Sequence, residues 1–377
     1  MNRRDAVRHG TAAVAALAIP PWARGAGNKI VLGQSAAFTG PASALGVQFR
    51  IGAQLMFDRV NAHGGVGGRT IELQSLDDGY EPDRCVANTR KLIDGSVFAL
   101  FGYIGTPTSV PALPIATAAK IPFVAPFTGA EALRTPFNRH AFHVRASYFD
   151  ETANIVKQLT TVGIQRIGVF YQNDGYGKAG LEGVTRALKP LGLAPSGLGT
   201  VERNTVAVEA AVKTILDSKP DAIVQISAYR SCAAFIRAAR AAGFGGTFYN
   251  VSFVGTQALA NELGADARGV VVSQVMPFPH APVTAASGEY LAAGRAAAGD
   301  KFEPNYSSIE GYMAAKTLVE GLRRAGNNPT AETLVASLES LHELNLGGFF
   351  VDFSPQKHTG SKFVELTILT GDGHIRR

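Results

Sequence analysis

The stretch VFALFGYIGTPTSVPALPIATAAKIPFVAPFT, Val97 to Thr128, decides how the rest of the chain is read. An apolar run from Val97 to Phe101 stops at Gly102, and the loop Tyr103-Ile104-Gly105-Thr106-Pro107-Thr108 follows. Helical spacing resumes from Ser109. A second apolar run, Ile121 to Ala125, stops at Pro126-Phe127-Thr128-Gly129. The pattern predicts strand, loop, helix, strand, loop. Parallel strands joined by a crossover helix bring both loops to the same carboxyl edge of one sheet. That edge is where open α/β sheets bind ligands. Thr106 falls at the predicted helix start, where backbone N–H groups lack partners and favour an anion. A plainer use for Thr106 and Thr108 is to cap that helix.

The same rhythm extends in both directions. Upstream, Lys29 to Gln34 predicts a strand, a Gly/Pro/Ser-rich loop follows, and Val47 to Ala62 predicts a helix ended by Gly64-Gly65. Thr70 to Leu76 is a strand closed by Asp77-Asp78-Gly79-Tyr80, and a helix starts at Pro82. Downstream, a short link, FHVRAS, precedes a second alternating unit that runs to a strand at Gly269 to Gln274. Three helices follow, Val283–Ala298, Tyr306–Ala325 and Pro329–Leu338, and a hairpin-like end spans Gly348–Phe353 and Lys362–Thr370. Strands alternating with helices predict parallel sheets covered on both faces. The late helices are placed to complete the layers of the first unit. The expected fold is therefore α/β, with two doubly wound parallel-sheet lobes joined by a hinge of three chain crossings.

A chain of 377 residues is too long for one ordinary core. The formal net charge is +6, but four arginines and one aspartate fall within the first 24 residues, and without that excess of three the remainder carries +3. That argues against nucleic acid as a partner. Arg3-Arg4 and Arg8, the short apolar run Thr11 to Ile19, and small residues after Pro20-Pro21 form the charged, apolar, small-residue order of a signal peptide over residues 1–27. The arginine pair is compatible with twin-arginine export. No later run is long and apolar enough to span a bilayer as a helix. Cys85 and Cys232 are expected to be separate buried thiols.

No P-loop, GxSxG elbow or GxGxxG after the first strand is present, so neither catalysis nor a cofactor is expected. His140 and His143 have no cysteine or acidic companions that would complete a metal site. Asp77-Asp78 suit turn-making and capping. Tyr176, Tyr229 and Ser252 each follow a predicted strand end in the second unit, which puts three polar or aromatic side chains at its carboxyl edge.

The order FTGPASALGVQFRIGAQLMFDRVNAHGGVGGRTIELQSLDDGYEP, then FGYIGTPTS, PFTGAEALR, VFYQNDGYGKAG and FIRAARAAGF, resembles the periplasmic type I solute-binding proteins of the leucine/isoleucine/valine-binding group. The likeness implies an exported, monomeric periplasmic protein. In it, residues 28–145 with 278–355 form one lobe, and 146–277 with 356–377 the other. The lobes would close on a small solute, an amino acid or other small carboxylate, for delivery to a membrane ABC permease. An alternative partner is a receptor to which the bound solute is presented. By the resemblance, the ligand-binding residues are Gly105, Thr106, Phe127, Thr128, Tyr176 and Tyr229, with Ser252 where amino-acid binders carry the acid that pairs with the ligand's ammonium. Leu45 stands where an aromatic is expected. An ammonium buried without a carboxylate is costly, so an amino-acid ligand would need another acid, such as Asp174.

Overall fold

The computed structural model describes residues 29–377. The signal peptide expected over residues 1–27, and its arginine pair, lie outside the described residues. The chain opens with β1 (Lys29–Ala36), α1 (Ser43–Ala62), β2 (Thr70–Asp77), α2 (Pro82–Asp94), β3 (Ala99–Phe101), α3 (Thr106–Ala118), β4 (Phe123–Val124) and β5 (Ala141–Phe142). These strands form one parallel sheet in the order β2-β1-β3-β4-β5. The expected strand–loop–helix–strand pattern of Val97–Thr128 is present, and helix α3 starts at Thr106.

A second unit follows with α4 (Tyr148–Thr161), β6 (Ile167–Gln172), α5 (Gly175–Leu188), β7 (Gly197–Val201), α6 (Glu209–Asp217), β8 (Ala222–Ile226), α7 (Tyr229–Ala241), β9 (Thr247–Asn250), α8 (Thr256–Leu263) and β10 (Val271–Gln274). The remaining elements are α9 (Ala285–Ala298), α10 (Tyr306–Arg324), α11 (Ala331–Glu339), β11 (Leu344–Asn345), β12 (Phe350–Val351), β13 (Glu365–Leu369) and β14 (Ile375–Arg376). The second sheet runs β14-β13-β10-β9-β8-β6-β7. All five residues of β8 are buried, as expected of a central parallel strand covered by helices on both faces.

The late helices do complete the first layer. Helix α10 packs on α1 through two glycines. A Cβ at Gly52 would lie 1.6 Å from the Ser308 carbonyl oxygen, and one at Gly311 would lie 2.0 Å from that of Phe49. Only glycine allows this approach.

The hairpin expected at the end of the chain is not formed. Residues 350–351 pair antiparallel with 344–345, whereas 365–369 joins the second sheet antiparallel to β10 and β14. The reason is the run between them, which crosses from one sheet to the other. His143 bridges Thr359 there, with His143 N–H donating to the His358 carbonyl at 2.8 Å and Gly360 N–H to the His143 carbonyl at 2.7 Å. Turn residues looked alike in sequence whether they joined paired strands or carried the chain between lobes.

Cys85 and Cys232 are both buried and unbonded. Among the described residues no helix is long and apolar enough to cross a membrane, and no cluster of His, Cys, Asp or Glu could hold a metal ion. His143 turns its ring inward, with Nε2 3.0 Å from the Leu133 carbonyl oxygen.

Candidate functional site

The loops after β3 and β4 are stitched to each other. Phe127 N–H donates to the Tyr103 carbonyl at 2.7 Å, and Gly105 N–H donates to the Phe127 carbonyl at 3.2 Å. Gly105 is the N-cap of α3 with φ +93°, and a Cβ there would lie 2.3 Å from the Tyr80 ring. The turn therefore requires glycine twice over, for backbone conformation and for space. It sets Thr106 in the first turn of α3, with its hydroxyl 2.7 Å from that of Thr128. Tyr148, at the start of α4, reaches Thr128 Oγ1 at 3.3 Å. Thr108 instead bonds back to the Ile104 and Gly105 carbonyls and serves the turn.

Tyr176 approaches from the second sheet. Asp174 caps α5 by accepting from Tyr176 N–H at 2.9 Å, which fixes Tyr176 in the helix's first turn. A Cβ built on neighbouring Gly175 would lie 3.7 Å from Thr106 Cγ2, so the two carboxyl edges meet face to face. The rings form a continuous cluster. Centroids of Tyr176 and Phe253 are 4.6 Å apart, Tyr148 and Tyr176 5.3 Å, Phe127 and Phe253 5.6 Å, and Tyr80 and Phe253 5.9 Å. All five rings are buried, and the Tyr176 hydroxyl has no hydrogen-bond partner.

Sequence reasoning missed the charged group beside these rings. Arg145 lies with its guanidinium carbon 4.9 Å from the Phe127 centroid. It is 3.2 Å from Glu151 and 3.3 Å from Glu310, and it donates to Ser252. Glu151 also accepts from Ser252 N–H at 2.7 Å, Ser252 Oγ at 3.0 Å and Ser273 Oγ. Burial pushes the Glu310 carboxyl up to about 7, only partly offset by Arg145. Arg145 sits in the unremarkable link FHVRAS and Glu310 in a helix more than 150 residues later, so no local signal joins them.

Of the expected binding residues, Gly105, Thr106, Phe127, Thr128 and Tyr176 come together. Phe127 offers its ring, since its amide and carbonyl are both taken by the neighbouring loop. Ser252 adjoins them but is engaged by Glu151 and Arg145. Tyr229 opens α7 at the end of β8 and is buried, but among the described residues it pairs with none of these rings. Asp174 is committed to the α5 cap, to Gln172 at 2.6 Å and to Arg203 at 3.4 Å.

The Asp77-Asp78 pair shapes a turn, as its sequence suggests. Burial raises Asp77, but donors from the Thr39 hydroxyl and the Phe38, Gly79 and Thr39 amides outweigh it and bring the carboxyl down to about 2. Burial pushes Asp78 up to about 6 despite bonds from Ser35 and Tyr80 N–H.

Two α/β sheets whose strand tips meet over a polar and aromatic cluster define a two-lobed, type I solute-binding protein. The family profile described as periplasmic binding protein matches residues 29–371, and the chain belongs to that family. Its relatives are solute-binding proteins, not enzymes. It is 24% identical to the Leu/Ile/Val-binding protein BraC3 of Rhizobium johnstonii, over 88% of each chain. It is also 24% identical to the leucine-specific-binding protein of Salmonella typhimurium, over 90% of this chain and 93% of the relative. Among solved structures, a possible leucine/isoleucine/valine-binding protein from Rhodopirellula baltica is 34% identical with TM-score 0.88, covering 92% of this chain and 95% of that one. A substrate-binding periplasmic protein from Ralstonia solanacearum is 33% identical with TM-score 0.86, covering 92% and 99%.

Proposed function

We propose that the protein is the solute-binding component of an ABC importer and captures a small carboxylate or amino-acid-like solute by hinge closure. The observation that carries this reading is the pair of hydroxyls, Thr106 and Thr128, 2.7 Å apart at a helix N-terminus and faced by Tyr176 from the other sheet. Hydroxyls and free N–H groups at such an end suit a carboxylate. The solute docks first on the lobe of residues 28–145 and 278–355. The lobe of 146–277 and 356–377 then closes, excluding water and strengthening the few polar contacts. The relatives named for leucine, isoleucine and valine support an amino-acid-like ligand class, and membership of the family supports export to the periplasm through a signal peptide over 1–27. A membrane ABC permease would receive the closed, monomeric form.

The test is a thermal-shift screen of the purified protein against amino acids and simple carboxylates. A ligand of the folded state at about 100 times its Kd stabilises by about 2.7 kcal/mol, which is several degrees of melting temperature in a chain of this size. No shift with any of them would overturn the reading.

A further inference from the structure

The charges and hydrogen bonds around the cleft narrow the ligand class, on the premise that the cleft is the solute site. An α-amino acid brings an ammonium that needs a buried carboxylate with acceptor capacity to spare. Of the acids that border the ring cluster, Glu151 has none left and Asp174 is already paired with a cation, Arg203. Glu151 already accepts from Arg145, Ser273 and both donors of Ser252. A carboxylate has about four lone-pair sites, so it is saturated. Asp174 accepts from Tyr176 N–H, Gln172 and Arg203. The third, Glu310, has the Arg145 guanidinium 3.3 Å away, between it and Glu151, where a second cation would be repelled.

Donors, by contrast, are in surplus. The Tyr176 hydroxyl is buried without a partner, and so is Arg145 Nε, while Arg145 Nη1 makes no hydrogen bond beyond its 3.3 Å ion pair with Glu310. Tyr176 packs against Phe253 at a tilt of 56°, and Arg145 lies over Phe127, so these donors border the ring cluster. Rings of both lobes contribute to it: Tyr80 and Phe127 from one, Tyr148, Tyr176 and Phe253 from the other. Parting the lobes would open a slot between aromatic faces, which suits a flat apolar body.

We propose that the cleft selects an aromatic monocarboxylate lacking an α-ammonium, with Tyr176 and Arg145 joining Thr106 and Thr128 around its carboxylate as the specificity-determining donors. Glu310, whose carboxyl burial raises to about 7, accommodates the added anion by taking up a proton.

The test compares 3-phenylpropanoate with L-phenylalanine, which share a skeleton and differ by the ammonium, using thermal shift and titration calorimetry on the full mature chain. L-leucine and butanoate complete the set. The expected result is binding of 3-phenylpropanoate about tenfold or more tighter than L-phenylalanine. If L-phenylalanine or L-leucine binds as tightly or more so, the inference falls while the solute-binding reading stands. The same holds if butanoate binds and 3-phenylpropanoate does not. If no amino acid or carboxylate binds, both fall. Tyr176→Phe deletes only a partnerless hydroxyl, so the unliganded melting temperature should not drop, while 3-phenylpropanoate affinity falls about tenfold. Unchanged affinity in that variant would overturn the role of Tyr176 and the selection argued from it.

Discussion

Arg203, just beyond β7 in the second sheet, donates to Glu81, at the start of α2 beside the first, at 2.8 Å. The neighbouring Asn204 also reaches Glu81, at 2.7 Å, and the Gly79 carbonyl, at 3.2 Å. The segment that carries Tyr80 into the ring cluster is therefore tied across to the opposite lobe.

Loss of this tie should be felt in ligand release. Arg203→Ala is expected to weaken solute affinity by about 0.5 to 1 kcal/mol, mostly through faster dissociation, with a smaller effect at high salt because the pair is partly exposed. Stopped-flow dissociation at two ionic strengths measures it. An unchanged rate at low salt would show that the link does not contribute to closure.

Thr106→Ala removes one hydroxyl of the Thr106–Thr128 pair and should weaken a carboxylate ligand by about 1 to 3 kcal/mol. Calorimetric titration of the variant checks this. Unaltered affinity would remove Thr106 from the site.

Gly105→Ala should destabilise the fold by about 1 to 3 kcal/mol, since φ +93° is strained for alanine and its Cβ would meet the Tyr80 ring at 2.3 Å. Denaturant unfolding measures the loss. A wild-type midpoint would contradict the close approach of Gly105 and Tyr80.

Arg145→Met leaves Glu151 and Glu310 buried without their shared cation and should cost about 3 to 5 kcal/mol. Glu310→Gln should cost far less, because a carboxyl raised to about 7 already holds a proton much of the time at neutral pH. Equal losses in the two variants would contradict this assignment of charge.

Asp78 makes stability depend on pH. Its folded-state pKa is raised by burial from 3.8 to about 6, so between those values the folded protein binds more protons than the unfolded chain. Its contribution is complete below about pH 4 and is lost as pH rises to about 6, by up to roughly 3 kcal/mol. Asp78→Asn should flatten that part of the unfolding free-energy profile, measured with denaturant from pH 4 to 7. An identical slope in the variant would rule out Asp78 as its source.

The two α/β units, the helix starting at Thr106 and the meeting of the Thr106 and Thr128 loops were legible because they depend on local periodicity and on the handedness of one crossover. Ser252 was legible as a missing acid, but not as a residue held by Glu151. Tyr80 follows Asp77-Asp78-Gly79 at the end of β2, and that strand-end position was the one signal that could have pointed to it. The terminal strands were misread because pairing is a property of the partner, and residues 365–369 find theirs almost a hundred positions earlier in β10.

By itself the sequence determined the alternation of strands and helices, the edge at which the threonine loops gather, and the absence of known catalytic motifs, since each is encoded within a few turns of chain. Only the tertiary structure decided which charges are spent and which are free. Arg145, Glu151, Ser252 and Glu310 come from four segments and meet through packing of the two lobes, and burial and hydrogen-bond saturation exist only once that packing has formed.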